Sequence, residues 1–334
     1  MATTSLRIAD QGHFWVGVTY VERDGRTVVD GSQLYVEFQK PEEQIQPYPV
    51  VLIHGGGGQG LDWMSTPDGR PGWRTLLLRR GHAVYVVDRP GHGRSPRQPG
   101  EFREPSATPP RPAPCVETLG RMFTGPDDPA LAQFLASQSH LPLDPGADHA
   151  VMRRRGAELL DAIGPAILIT SSAGGPSGWL IADARPDLVQ AVVALEPLGP
   201  SGPLPLPWGL AASPITYDPP AAEPGDLELV DVPGKAGAPA ARLQTDPPRR
   251  LPNLADLPIA VVSSEHSFAT AMDHGTVAFL RQAGCKLVDH LRLADLGVHG
   301  NGHLMMIERN NEEVLDIITG WLDEHCPRGE APER

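Results

Sequence analysis

Apolar residues change rhythm along this chain. Over residues 13–38, HFWVGVTYVERDGRTVVDGSQLYVEF, β-forming residues alternate with polar ones on both sides of Asp24-Gly25, a strong signal for a tight antiparallel hairpin. From Pro49 the alternation gives way to short continuous apolar runs: PVVLI (49–53), AVYVVD (83–88), AILIT (166–170), AVVAL (191–195) and IAVVSS (259–264). Such runs predict strands buried on both faces, as in a parallel sheet. Between them, apolar spacing and composition predict helices around 73–80 and over 148–162, 174–184, 269–283 and 310–325. Alternating buried strands and helices predict an α/β fold, a mostly parallel doubly wound sheet opened by an antiparallel hairpin.

Two segments break this rhythm. Residues 96–147 and 199–257 are crowded with proline, as in TPPRPAPC and PSGPLPLPWG, and neither sustains a strand or helix period. Proline removes backbone donors and fixes φ, which disfavours a sheet interior. Insertions this long in a compact domain are functional or disordered, so the reading is one domain over 1–334 with a cap at 96–147 and a proline-rich lid at 199–257. Floppy surface loops are the plainer reading. Under the lid reading, Trp208 contacts the substrate.

Length allows a large core: the chain has 334 residues and a mass of 35.8 kDa. Formal net charge is −13, without a block of Lys or Arg. That argues against nucleic acid or an anionic membrane as partner and for a small molecule; a homodimer is compatible with the same features. Cys115, Cys285 and Cys326 lie far apart with no C-x-x-C pair, so neither a disulfide framework nor a thiolate metal site is indicated. The chain begins without a basic start followed by an apolar core, and no apolar run approaches the roughly 18 residues of a membrane span. As written it reads as cytoplasmic, or as exported if a leader was removed.

Chemistry concentrates in three glycine-broken places. In AILITSSAGG a strand runs into two serines and a glycine pair. A nucleophile on a sharp strand-to-helix turn needs small residues two before and two after it. Thr170-x-Ser172-x-Gly174 meets this with Thr in the first small position, whereas Ser171 would put Ile169 there. Both serines capping the following helix is the competing reading. VVLIHGGGGQG (50–60) ends a strand in histidine and four glycines, with no G-K-[ST] to complete a phosphate loop. Its backbone amides suit an oxyanion instead. GVHGNGHLMM, after the last strand, carries His299 and His303; Gly300 and Gly302 oppose the helix that an H-x-x-x-H metal pair requires, so no metal is assigned. A structural His303 is the bland alternative.

HGGGGQG after the third strand, DRPGHGRS (88–95) after the fourth, TSSAGG at the turn and GNGH (300–303) near the end follow an order and spacing that resembles the α/β-hydrolase superfamily over nearly the whole chain outside the two insertions. The resemblance implies Ser172 as nucleophile, His303 as base, Gly56 and Ala173 as oxyanion amides, and Asp88 and Ser95 as supports of a structural turn. In most members the acid follows the strand where Glu265 stands in VVSSEHS. In a smaller group, certain bacterial esterases and the zearalenone lactonases, it follows the strand after the nucleophile's helix, which here is Glu196 in VVALEPLGP. This chain is most similar to that bacterial esterase group, which favours Glu196, with Glu265 as the alternative acid. The implied activity is hydrolysis of a small carboxylic ester or lactone, a catalytic triad working without a cofactor. Amide, thioester or C–C bond hydrolysis by the same triad, and a non-catalytic ligand-binding homologue, are the alternatives; an aspartate-nucleophile enzyme is disfavoured by Ser172.

Overall fold

The buried apolar runs become neighbours in one eight-stranded sheet. The computed structural model describes residues 5–96, 102–103, 122–123, 127–138, 141–142, 144–202, 204, 206–234 and 240–326. Its strands are β1 (Ile8–Val16), β2 (Tyr20–Arg23), β3 (Arg26–Val29), β4 (Leu34–Pro41), β5 (Val50–Ile53), β6 (Val84–Asp88), β7 (Phe102–Arg103), β8 (Leu141–Pro142), β9 (Ala166–Ser171), β10 (Val189–Leu195), β11 (Leu229–Val232), β12 (Ala241–Gln244), β13 (Ile259–Ser263) and β14 (Val288–Arg292). Helices are α1 (Leu61–Met64), α2 (Trp73–Arg79), α3 (Pro129–Ser137), α4 (Pro145–Ile163), α5 (Gly175–Ala184), α6 (Thr270–Gln282) and α7 (Asn311–His325). The large sheet runs β1-β4-β6-β5-β9-β10-β13-β14. β1–β4 and β4–β6 pair antiparallel, and the remaining pairs are parallel.

Each buried strand feeds two cores. In β10, Val192 and Ala194 face one side, with Leu168 of β9 and Trp179, Leu180 and Phe279 from the helices. Ala191, Val193 and Leu195 face the other, with Trp73, Leu77, Leu315 and Ile318. Helices α4, α5 and α6 thus cover one face and α2 and α7 the opposite one, the double cover that parallel strands require.

The opening hairpin is built differently from its prediction. Asp24 (φ +50°) and Gly25 (φ +71°) do turn the chain between β2 and β3, but those strands form a separate ribbon. The pair that starts the sheet is β1 with β4, and the ribbon is inserted between them. Within the first insertion the described residues include α3, capped by the Asp128 carboxylate on the Ala130 N–H with Pro129 at its start; Met122, Phe123 and Phe134 are buried in the second core. Much of the cap predicted at 96–147 lies outside the described residues. The second insertion contributes the ribbon β11–β12 and packs Leu206, Trp208, Leu210, Ile215, Tyr217 and Leu251 into the first core. Trp208 is 6% exposed and its carbonyl accepts the Tyr217 hydroxyl at 2.9 Å. The expectation that Trp208 meets substrate is therefore corrected: an aromatic among prolines here is a core residue. Among the described residues no helix is long and apolar enough to cross a membrane.

Candidate active site

Parallel strands deliver their carboxyl ends to one edge of the sheet, where ligands gather in open α/β folds. The glycine loop leaves β5 there, Arg89 follows β6, Ser172 follows β9, Glu196 follows β10 and Ser264 follows β13.

β9 ends at Ser171 in extended conformation, and Ser172 turns sharply with φ +52°. A non-glycine residue in that region is strained and needs its surroundings to hold it. Small residues make the turn feasible: a Cβ on Gly174 would lie 2.4 Å from the His54 carbonyl, and one on Gly175 2.4 Å from Pro197 Cβ. Thr170 occupies the place where another small residue was expected. Room for it comes from Gly178 one helical turn on, where an added Cβ would meet Thr170 Cγ2 at 2.9 Å.

The strained serine sits in a continuous hydrogen-bonded line. Ser172 Oγ is 2.9 Å from His303 Nε2, and His303 Nδ1 is 2.6 Å from Glu196 Oε2. Since Nδ1–H donates to the carboxylate, Nε2 is the acceptor for the serine proton. Glu196, also at positive φ (+43°), is fully buried. Its other oxygen, Oε1, accepts the Ser264 N–H at 2.8 Å and the Ser264 hydroxyl. Glu265 points elsewhere: its Oε2 accepts the Gly300 N–H at 2.8 Å and faces His299 Nδ1 at 3.4 Å. The structure thus brings Ser172, His303 and Glu196 together and leaves Glu265 and His299 as a separate pair. Ser171 is buried without a partner for its hydroxyl.

The glycine loop lies against this turn. A Cβ on Gly55 would touch Ser172 Cβ at 3.0 Å, so Gly56 and Ala173, the two expected oxyanion amides, belong to loops in contact. His54 holds the loop: Nδ1–H donates to the Gly55 carbonyl at 2.8 Å and Nε2 accepts the Arg89 N–H at 2.9 Å. Burial first, then the charges of His92 and Arg89, drive its pKa well below the ordinary histidine value, which keeps the acceptor nitrogen free of a proton. Asp88 Oδ1 accepts the Gly60 N–H at 2.6 Å, its Oδ2 accepts Arg94 Nε–H at 2.7 Å, and the Ser95 hydroxyl donates to the Asp88 carbonyl at 2.6 Å. DRPGHGRS is a turn braced by those two residues. Beneath it, Arg89 forms a buried ion pair with Asp148.

Sequence reasoning missed two supports. Ser264 is one of many serines and carries no pattern. Glu308 holds the histidine loop from below, accepting Gly302 N–H at 2.8 Å and Asn301 Nδ2–H at 2.7 Å. Burial, with a contribution from the Glu196 charge, pushes Glu308 up to about 7.

The chain matches the alpha/beta hydrolase fold model over residues 48–256. It is 36% identical to a protein of Fungal sp. (strain ATCC 74256) named probable secreted lipase phiG, over 92% of this chain and 88% of that one. A solved structure described as a novel bacterial esterase superposes with a TM-score of 0.68 at 25% identity, covering 97% of this chain and 98% of that chain. The peroxisomal alpha-beta-hydrolase Lpx1 of Saccharomyces cerevisiae shares the fold alone, with a TM-score of 0.50 at 12% identity over 98% and 92% of the two chains. Agreement of this extent, in sequence with the lipase and in backbone with the esterase, makes the chain a member of the alpha/beta hydrolase fold family, a hydrolase of the lipase and esterase type.

Proposed function

We propose that the protein is a serine hydrolase that cleaves a small carboxylic ester or lactone through an acyl-enzyme. The observation that carries this reading is the line from Ser172 Oγ through His303 to the buried Glu196. As Ser172 Oγ bonds the substrate carbonyl carbon, its proton passes to His303 Nε2 and the carbonyl oxygen becomes an oxyanion. The amides of Gly56 and Ala173 receive that charge, each such donor being worth about 3 kcal/mol in the transition state. The C–O bond to the alcohol breaks, the alcohol oxygen takes the proton from His303, and a water molecule repeats the sequence to release the acid. Glu196 keeps the Nδ1–H tautomer and stabilises the imidazolium. In a lactone the released alcohol stays tethered to the acyl group.

A fluorophosphonate probe is expected to label Ser172, and Ser172→Ala to abolish both labelling and hydrolysis of p-nitrophenyl acetate while Ser171→Ala keeps them. Labelling at Ser171 would overturn the assignment. An exported setting fits the naming of the fungal relative as secreted better than the cytoplasm suggested by the sequence, and fractionation of producing cells decides between them.

A further inference from the structure

A cavity of about 340 Å³ opens beside the glycine loop, walled by Gln59, Asp62, Ser65, Thr66, Ser137 and Ile307 among others. That volume is in the range of small-molecule sites. Two of its walls continue loops of the catalytic centre: Gln59 lies three residues beyond Gly56, and Ile307 four beyond His303. A third wall is α3, tied to the glycine loop where Gln59 Nε2–H donates to the Ser137 carbonyl at 2.6 Å.

Asp62 is the feature that gives this cavity a chemistry. Its carboxyl lies over Gly58, where an added Cβ would be 2.1 Å from Oδ2, and it accepts one long hydrogen bond, from Gln59 N–H at 3.3 Å. Among the described residues no Arg, Lys or His pairs with it. The charge acting on it is that of Asp88, which already has Arg94 as partner. Burial, and then the Asp88 charge, push Asp62 up to about 7. A half-buried carboxylate without a counter-charge is unfavourable, and an alkyl chain entering here would leave it so. A primary ammonium supplies a positive charge and three N–H donors, and Ser65 and Ser137 are among the residues that line the cavity beside Asp62. A neutral hydroxyl would lack the charge-assisted part of that interaction.

We propose that this cavity is a subsite for a protonated primary amine carried by the substrate on a short linker, with Asp62 as its counter-ion. The proposal deepens the esterase reading and rests on it, since the subsite serves an ester cleaved at Ser172. The net charge of −13 adds a general attraction for such cations.

Calorimetry with n-butylammonium chloride and with 1-butanol tests binding without reference to catalysis. At pH 8, n-butylammonium is expected to bind wild type at least tenfold more tightly than Asp62→Asn, while 1-butanol does not distinguish the two proteins. Because a variant in this turn can lose its fold, wild type alone supplies a second reading: affinity for n-butylammonium rises roughly tenfold from pH 6 to pH 8 as Asp62 ionises, while the ligand stays protonated. The same cation should inhibit p-nitrophenyl acetate hydrolysis competitively. Equal affinity in folded wild type and variant, a flat pH response, or equal binding of 1-butanol overturns the counter-ion role. Binding without competition overturns the subsite. A protein that binds n-butylammonium through Asp62 yet hydrolyses no ester would instead sink the esterase reading, so the two failures are distinguishable.

Discussion

At the scale of single residues, Glu196 as the proposed acid is what would separate this protein from the commoner layout that the resemblance implies, with the acid at Glu265. Glu196 is buried with both carboxylate oxygens occupied: Oε1 accepts both Ser264 donors and Oε2 accepts the imidazole N–H. Glu265 is partly exposed, and the Gly300 N–H, then the nearby histidines, hold it below the ordinary carboxylate range. Glu196→Gln removes the charge while keeping the size, so kcat for p-nitrophenyl acetate is expected to fall by about 10⁴, the scale seen when a triad acid is neutralised. Glu265→Gln should stay within about tenfold, because it acts only through the position of the 299–303 loop. The opposite ranking in steady-state assays would move the acid to Glu265. This choice was legible in the sequence only through the resemblance; no residue pattern says that a glutamate before proline faces inward. His303 and Ser172 were legible on local grounds, since glycine-broken turns after buried strands are where reactive side chains are exposed.

Among elements, legibility follows burial. Runs apolar throughout, such as VVLI in β5 and AILITS in β9, were readable to within a residue or two because both faces are covered. β14, VDHLR, was not read as a strand: it is an edge strand only partly buried, and its pattern carries Asp, His and Arg. α3 was hidden by surrounding prolines, although Asp128-Pro129 is a helix start in itself. The nucleophile turn shows how one departure from a pattern is absorbed by a neighbouring element. Thr170 replaces a small residue at the end of β9, and α5 yields space at Gly178. Gly178→Ala would normally raise helix stability by about 1 kcal/mol. Here it should instead destabilise the protein by about 1–3 kcal/mol, because the Thr170 methyl and its buried strand cannot give way. In a Thr170→Ser background the methyl is gone, and the same change should be close to neutral. Urea melts of the two singles and the double expose this coupling; additive costs would mean that the contact between β9 and α5 is not what requires glycine.

For the whole molecule, the second insertion changes what kind of object this is. A proline-rich stretch of 199–257 read as a lid, yet its described apolar side chains belong to the same core as the sheet and the helices α4, α5 and α6. Hydrogen bonds repeat the pattern: Gln244 N–H donates to the Gln282 amide oxygen at 2.9 Å, the Gln282 amide returns a bond to the Gln244 carbonyl at 2.8 Å, and the Ala212 N–H donates to His149 Nδ1 at 2.9 Å. Prolines stiffen such a segment at low entropic cost, which serves packing as well as it serves a lid. Sequence periodicity cannot distinguish the two, because irregular backbone buries its apolar residues without a repeat. Trp208 discriminates between these roles. As a core residue, Trp208→Ala should lose about 3–5 kcal/mol of stability, read as a lowered urea midpoint. The ratio of kcat/KM between p-nitrophenyl acetate and p-nitrophenyl octanoate should stay that of wild type under conditions where the variant is folded. A lid residue in contact with substrate would give the reverse, a shifted chain-length preference with stability little changed. The expected result would mean that selectivity has to be sought in the walls around the glycine loop, α3 and Ile307, where the cavity with Asp62 lies.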